Sequence, residues 1–330
     1  MNTNLNDRKE QSFIVSLVTG DASFNSNPAV LNNVIGQNEA RKKLSFYVPS
    51  SELIPPTPTM IFTGSQGLGK SFMAEKMALA LDRELVEINC GTIQTAKDFV
   101  EGVLFDKVLG ERSKTLLLDE AHKLSPEIIT TLLTLLAPNS KNKNSVSYKN
   151  WQIEYDFTKI NTIFATTDAH RIFKPLLNRC VEIYFHLYSN EELFLILEHY
   201  LPYIAITCNH EDIAYACRGR GRDAFLLAQN IKRYCGMNET SALDQKGWKE
   251  IKNIFGIYPM GLNTQEIELL KIIAKDEPIS SNNLAVKMGV NIQNIESEIE
   301  VRPRELGLIE SGTRGRVLTD AGKVYLKTIK

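Results

Sequence analysis

A chain of 330 residues, 43% hydrophobic and 23% charged, is long enough for two or three domains with sizeable cores. A formal net charge of -1 and a pI near 6.6 exclude a protein that coats nucleic acid by bulk charge, so any such contact must be local. No apolar run approaches the ~20 residues of a membrane span, and Cys90, Cys180, Cys208, Cys217 and Cys235 show neither CxxC nor metal-ligand spacing, which reads as free thiols in a cytoplasmic protein.

Residues 1–24, polar and rich in Asn and Ser patches, read as a loose tail. "VLNNVIGQNEARKKLSFYV" then gives a turn and an amphipathic helix from Gln37. The stiff "PPTPT" (Pro55 to Thr59) leads into a strand at Met60–Thr63, a helix at Ser71–Leu81 and a strand at Leu85–Ile88. A helix near Thr95–Val103, a strand at Thr115–Leu118, a helix at Pro126–Leu136 and a strand at Thr162–Ala165 follow. That alternation predicts a parallel sheet with helices on both faces. The Lys/Asn-rich stretch Asn139 to Asn150 reads as a solvated loop or hairpin tip. Beyond Tyr188 the pattern is helical only, at Glu191–His199, Glu211–Ala216, Asp223–Cys235 and Asp244–Phe255. "GIYPMGL" (Gly256 to Leu262) carries the turn residues of a linker. Three short helical segments then precede two small strands around a Gly-rich turn. The expected divisions are a tail (1–24), an α/β domain (25–187), a helical domain (188–258) and a C-terminal domain (259–330).

"GSQGLGKS", Gly64 to Ser71, matches G-x-x-x-x-G-K-[ST] between a strand and a helix, the setting that this motif requires. Gly64, Gly67 and Gly69 let backbone N–H groups turn in around phosphate oxygens, and the helix N-terminus adds a favourable dipole. Lys70 would reach the β and γ phosphates, and Ser71 would ligate Mg²⁺. "TLLLDEAH" delivers Asp119 to the C-terminal edge of the sheet, where open α/β sheets bind ligands. There Asp119 can hold the Mg²⁺ shell and Glu120 can polarise an attacking water. Adjacent carboxylates are costly to hold beside a sheet without a cation. In "TIFATTDAHRIFKPLLNRC" the strand ends in hydroxyls, placing Thr167 beside Asp119 to bond the γ phosphate or the water. Arg179 lies too far along to reach the same phosphate and reads as a finger for a neighbouring subunit. The competing reading is a surface arginine with no role.

Together these motifs resemble the AAA+ ATPases, and from Asn27 to the C-terminus they look most like the RuvB family, motors of Holliday-junction branch migration. The resemblance implies an α/β AAA+ P-loop ATPase domain, a helical lid and a C-terminal winged-helix domain. "NPAVLNNVIGQNEAR" is similar to the family's adenine-side segment and implies a nucleotide contact at Ile35. "GLGKS" implies further contacts at Leu68 and Phe72, and "FATT" matches the sensor strand at Thr167. "LYSNEEL" places Tyr188 at the start of the lid, and "RGRGRDAFLLAQNIKRY" places Arg222 against the phosphates. Asn27 and Leu177 stand where the family has arginines, and Ala137–Pro138 where it has an acidic pair.

"GLNTQEIELLKII" through "GLIESGTRGRVLTDAGKVYL" resembles the RuvB winged helix in order and spacing. Residues 311–330 hold five basic residues (Arg314, Arg316, Lys323, Lys327, Lys330) against one acid, Asp320, a local charge of +4. That suits phosphate contacts from Arg314 and Arg316, with a protein-binding winged helix as the alternative. The resemblance implies ATP and Mg²⁺ as cofactors and DNA, a four-way junction or duplex, as the partner. It further implies a homo-oligomeric ring, a hexamer, and a RuvA-like junction-binding protein, with no membrane. Two other classes compete. A clamp-loader-like ATPase shares "NRC" but not the winged helix, and a regulator with a decayed nucleotide site fits poorly with Lys70, Asp119, Glu120 and Thr167 all present.

Overall fold

In the computed structural model, which describes residues 13–16, 26–49, 56–110, 112–136, 144–148, 151–155 and 160–329, the alternating segments assemble around a five-stranded parallel sheet. The chain divides into two compact units, Met1–His186 and Leu187–Lys330. The first unit runs β1 (Phe13–Ser16), α1 (Ala29–Asn32), α2 (Asn38–Phe46), β2 (Met60–Thr63), α3 (Lys70–Ala80) and β3 (Glu84–Asn89). It continues with α4 (Ala96–Phe99), β4 (Lys114–Asp119), α5 (Pro126–Leu135), β5 (Asn144–Tyr148) and β6 (Trp151–Tyr155). β7 (Ile160–Thr166), α6 (Lys174–Leu177) and β8 (Val181–Tyr184) complete it.

The sheet order is β3-β4-β7-β2-β8. Every residue of β2 and β7 is buried, because central parallel strands are covered on both faces and carry continuous apolar runs. Ile61, Leu116, Leu118 and Phe164 pack with Phe99, Ile128 and Leu132 from the helices. α4 passes into a wider turn that runs on to Val108, past the expected end at Val103, because Val103, Leu104 and Val108 all reach this core.

β8 is an addition to the expected set. As an edge strand it is only partly buried, and Glu182 interrupts its apolar pattern. Residues 1–24, expected as a loose tail, contribute β1, which pairs in parallel with β6, and β6 pairs antiparallel with β5. Residues 144–148 of the Lys/Asn-rich stretch, expected as a solvated loop or hairpin tip, are therefore one strand of an antiparallel pair. Residues 137–143 and 149–150, with Pro55 and the rest of the tail, lie outside the described residues.

The second unit holds α7 (Asn190–Tyr200), β9 (Ala205–Ile206), α8 (His210–Ala216), α9 (Gly221–Met237), β10 (Ala242–Leu243) and α10 (Gln245–Phe255). The parallel pair β9–β10 corrects the helix-only expectation; two-residue strands leave no period to read. Trp248 is fully buried, its Nε1–H donating to Asp212 Oδ2 at 2.8 Å beside Lys252 Nζ at 2.6 Å. α11 (Thr264–Asp276), α12 (Ser281–Met288), α13 (Ile292–Asn294) and α14 (Val301–Glu305) follow, then the hairpin β11 (Ile309–Gly312) and β12 (Gly315–Leu318), and α15 (Asp320–Thr328). Leu262, Ile267, Leu270, Ile295, Leu308 and Tyr325 form their core. Gly315 sits at φ +127, and a Cβ there would lie 2.5 Å from the Ile279 carbonyl oxygen, so the hairpin requires glycine.

Arg218, just before α9, forms an ion pair with Glu266, which is fully buried in the first turn of α11. Burial pushes the Glu266 carboxyl up, against the pull of Arg218. Arg218→Ala would strand that carboxylate in the interior. A loss of about 3 kcal/mol is expected from the second unit, read as a shift in its urea midpoint; an unmoved midpoint would show the pair to be inert.

Among the described residues no helix is long and apolar enough to cross a membrane. All five cysteines are free, and burial pushes the Cys90 and Cys180 thiols up to about 12 and Cys208 up to about 11. Such thiols are inert near neutrality.

Candidate nucleotide site

The parallel sheet brings the C-terminal ends of β2, β4 and β7 to one edge, with Thr63 paired to Thr166 and Leu118 to Phe164. From Thr63 the chain turns at once through Gly64, whose φ is +144. A Cβ there would lie 2.6 Å from the Phe185 carbonyl oxygen, so no other residue fits this approach. Gly69 ends the loop in the left-handed region, and α3 starts with no side-chain cap. Its first-turn N–H groups are therefore available to an anion. Lys70 is buried in that turn, and its Nζ donates to the carbonyls of Gly64 at 2.7 Å and Ser65 at 2.8 Å. Ser71 is half-buried beside it, Leu68 is buried, and Phe72 is exposed with Lys76 Nζ 4.8 Å from its ring. Thr63 Oγ1 is buried without a hydrogen-bond partner at the base of the loop. A tight glycine cradle, an uncapped helix and an ammonium held in its first turn fit a nucleotide triphosphate.

β4 carries Asp119 to the same edge, where its Oδ1 accepts from the Glu120 N–H at 2.9 Å. Glu120 itself adopts a left-handed conformation (φ 55, ψ 43), uncommon for a residue with a side chain and a mark of local constraint. Its Oε2 lies 3.2 Å from His122 Nε2 and 3.9 Å from Lys123 Nζ. His122 Nδ1 is in turn 3.0 Å from Thr166 Oγ1, which accepts the Asp168 N–H at 3.0 Å. Thr167, expected to end the strand, is the first residue past it and is exposed, whereas Thr166 is the last strand residue and is buried. One residue of register separates the two faces of a strand, and the apolar pattern does not mark where pairing stops.

Among the described residues no cluster of three or more His, Cys, Asp or Glu could hold a metal alone. Ser71 and Asp119 offer hard oxygen donors, which fit Mg²⁺ shared with phosphate oxygens.

Arg179 is exposed between α6 and β8, and its Nη1 donates to the Leu133 carbonyl of α5 at 2.8 Å. That is one of its five N–H donors. Ile35 is half-buried just before Gly36 and Gln37, both at positive φ. Gln37 is a residue that the sequence reading used only to mark a helix start. Its Nε2 donates to the His186 carbonyl at 2.6 Å and its Oε1 accepts the His186 N–H at 3.1 Å, fastening this segment to the end of β8. His122 was likewise read only as part of a motif.

In the second unit, the Tyr188 N–H donates to the Gly219 carbonyl at 2.9 Å, and the tyrosine ring packs at Gly221. Arg222 is exposed in the first turn of α9. Burial pushes the neighbouring Asp223 carboxyl up, against Arg220, Arg218 and Arg222.

The two wing arginines part company. Arg314 is exposed in the turn between β11 and β12. Arg316 is engaged inside the domain, its Nε and Nη2 bonding both oxygens of buried Glu300 at 2.9 and 3.1 Å, and Nη2 reaching Glu296 at 3.2 Å. Lys323 lies 3.5 Å from Glu277. Arg316, expected as a DNA contact, is thus engaged with Glu300 and Glu296 within its own domain, whereas Arg314 is exposed.

Two family models match the chain. Residues 60–187 match the ATPase family associated with various cellular activities (AAA), and residues 259–327 match the RuvB C-terminal winged helix domain. The chain is 26% identical over 298 residues to the Holliday junction branch migration complex subunit RuvB of Campylobacter lari, covering 88% of each. It is 25% identical over 308 residues to that of Campylobacter jejuni subsp. doylei, covering 91% of each. Among solved structures it resembles the Thermotoga maritima RuvB Holliday junction branch migration motor, with a TM-score of 0.71 at 20% identity, over 89% of this chain and 95% of that one. The expected fold, an AAA domain on a parallel sheet and a C-terminal winged helix of RuvB type, is borne out.

Proposed function

Since the chain belongs with the RuvB-type AAA ATPases, we propose that it is an ATP-driven DNA motor that moves four-way junctions in recombination and repair. The observation that carries this reading is the union, in one chain, of two parts. Lys70, Asp119 and Glu120 meet at one edge of the sheet, and a winged helix presents Arg314 at its tip. The RuvB names of relatives that span most of the chain support it.

In this reading Gly64 to Lys70 grip the triphosphate of ATP, with Ile35, Leu68, Phe72, Tyr188 and Arg222 as its other contacts. Mg²⁺ held by Ser71 and Asp119 would offset charge on the phosphates. Glu120 orients the water and takes its proton as the water adds to the γ phosphorus and the bond to the bridging oxygen breaks. Thr167 bonds the γ phosphate or the water. Arg179 is supplied by an adjacent subunit, which makes a ring of identical chains, a hexamer, the working assembly in the cytoplasm. The second unit, carrying Arg222, converts nucleotide state into rigid-body movement. A RuvA-like protein would hold the junction.

ATP hydrolysis with and without four-way-junction DNA tests the reading. Stimulation by junction DNA is expected; hydrolysis indifferent to DNA would oppose it, and no hydrolysis at all would favour a regulator. A second expectation separates the arginines. Arg314→Ala should weaken binding to all DNA sequences and reduce the slope of log affinity against log salt by about one. Arg316→Ala should leave that slope unchanged and lower the melting temperature instead. Equal effects from both on the salt slope would overturn this division.

A further inference from the structure

We infer that His122 is a positioning residue that fixes the catalytic carboxylate of Glu120 to the sensor strand, so that hydrolysis depends on an unbroken link from Glu120 through His122 to Thr166. The inference rests on the reading above, in which Glu120 activates water. Its ground is a chain of four groups, each within hydrogen-bond reach of the next. The Asp168 N–H donates to Thr166 Oγ1 at 3.0 Å, Thr166 Oγ1 lies 3.0 Å from His122 Nδ1, and His122 Nε2 lies 3.2 Å from Glu120 Oε2.

Hydrogen-bond roles give this chain a direction. Thr166 Oγ1 accepts from the backbone and has its own proton to give to Nδ1. With the ring proton on Nε2, His122 then accepts from Thr166 and donates to the Glu120 carboxylate, so each group in the chain has a partner.

Burial makes the link stiff. Thr166 is 1% exposed, and the His122 side chain is only 8% exposed against 24% for Glu120. The carboxylate at the end needs such support, because Glu120 sits at positive φ and its lysine neighbour, Lys123, is half-exposed at 3.9 Å. Thr166 is the right anchor for sensing nucleotide. It pairs with Thr63, from which the phosphate loop departs, and it precedes Thr167, the proposed contact to the γ phosphate. A shift at the end of β7 would therefore move the water-activating group. The sequence gives a local cue, a histidine two residues after the glutamate, but its partner lies 44 residues further on.

A double-mutant cycle tests this, with kcat and KM for ATP as readouts and melting temperature as the fold control. His122→Ala and Thr166→Val should each lower kcat by about tenfold or more while KM stays within about twofold, the pattern of a misplaced group rather than lost binding. The double variant should be no slower than the slower single. His122→Gln keeps an N–H that can reach Glu120 but offers no acceptor in the place of Nδ1. It should lose kcat like Thr166→Val and show no further loss when the two are combined, and it serves if the alanine variant does not fold. Near wild-type kcat for the His122 variants, or losses that multiply in the double, would overturn the inference. Glu120→Gln run beside them keeps the two ideas apart. If it is inactive while the His122 variants turn over normally, only the link fails; if it turns over normally, the underlying reading fails.

Discussion

Arg179→Ala is expected to bind ATP normally and to lose about 10³-fold in turnover. Binding survives because Lys70 and the glycine cradle lie within one chain, where Lys70 is already held by the loop carbonyls. Hydrolysis fails because, in the proposed assembly, the guanidinium that offsets charge in the transition state is the one the next subunit supplies. Within its own chain the arginine rests on the Leu133 carbonyl of α5, while Glu120 Oε2 faces His122 and Lys123. Mixing decides between the two placements. Arg179→Ala and Glu120→Gln, each inactive alone, should recover activity when combined, since some interfaces then pair an intact glutamate with an intact arginine. The recovery should depend on protein concentration as assembly does. Mixed rings without recovery would assign Arg179 to its own subunit.

Glu120→Gln should keep ATP affinity and slow hydrolysis by about 100-fold or more, the scale of a lost general base. The amide preserves size and can still meet His122, but it cannot take the proton of the water. Single-turnover hydrolysis with saturating ATP measures the step directly. Turnover within about threefold of wild type would remove Glu120 from the chemistry.

The parts of this site that were legible in the sequence are those written in consecutive residues. The phosphate loop needs a strand, glycines and a helix start in one stretch, and Gly64 to Ser71 supplies all three. Asp119 and Glu120 follow directly on the apolar run of β4. What escaped depends on residues far apart in the chain. Gln37 bonds His186 across 149 positions, and nothing in either segment announces the other. Counting charge along residues 311–330 made Arg316 look like a free cation, but Glu300 and Glu296 arrive from 16 and 20 residues upstream to hold it. β8 and the pair β9–β10 are too short or too mixed to show a period. The boundary between Thr166 and Thr167 depends on where strand pairing stops, which hydropathy does not encode.

The most direct test of the central claim is branch migration of a synthetic four-way junction with homologous arms, labelled on one strand and followed to duplex products. The protein is assayed with ATP and Mg²⁺, alone and with a RuvA protein, beside Glu120→Gln as the inactive control. The account predicts conversion that requires ATP hydrolysis and is lost in the control. A protein that hydrolyses ATP and binds the junction, yet leaves it unmoved under both conditions, would contradict it.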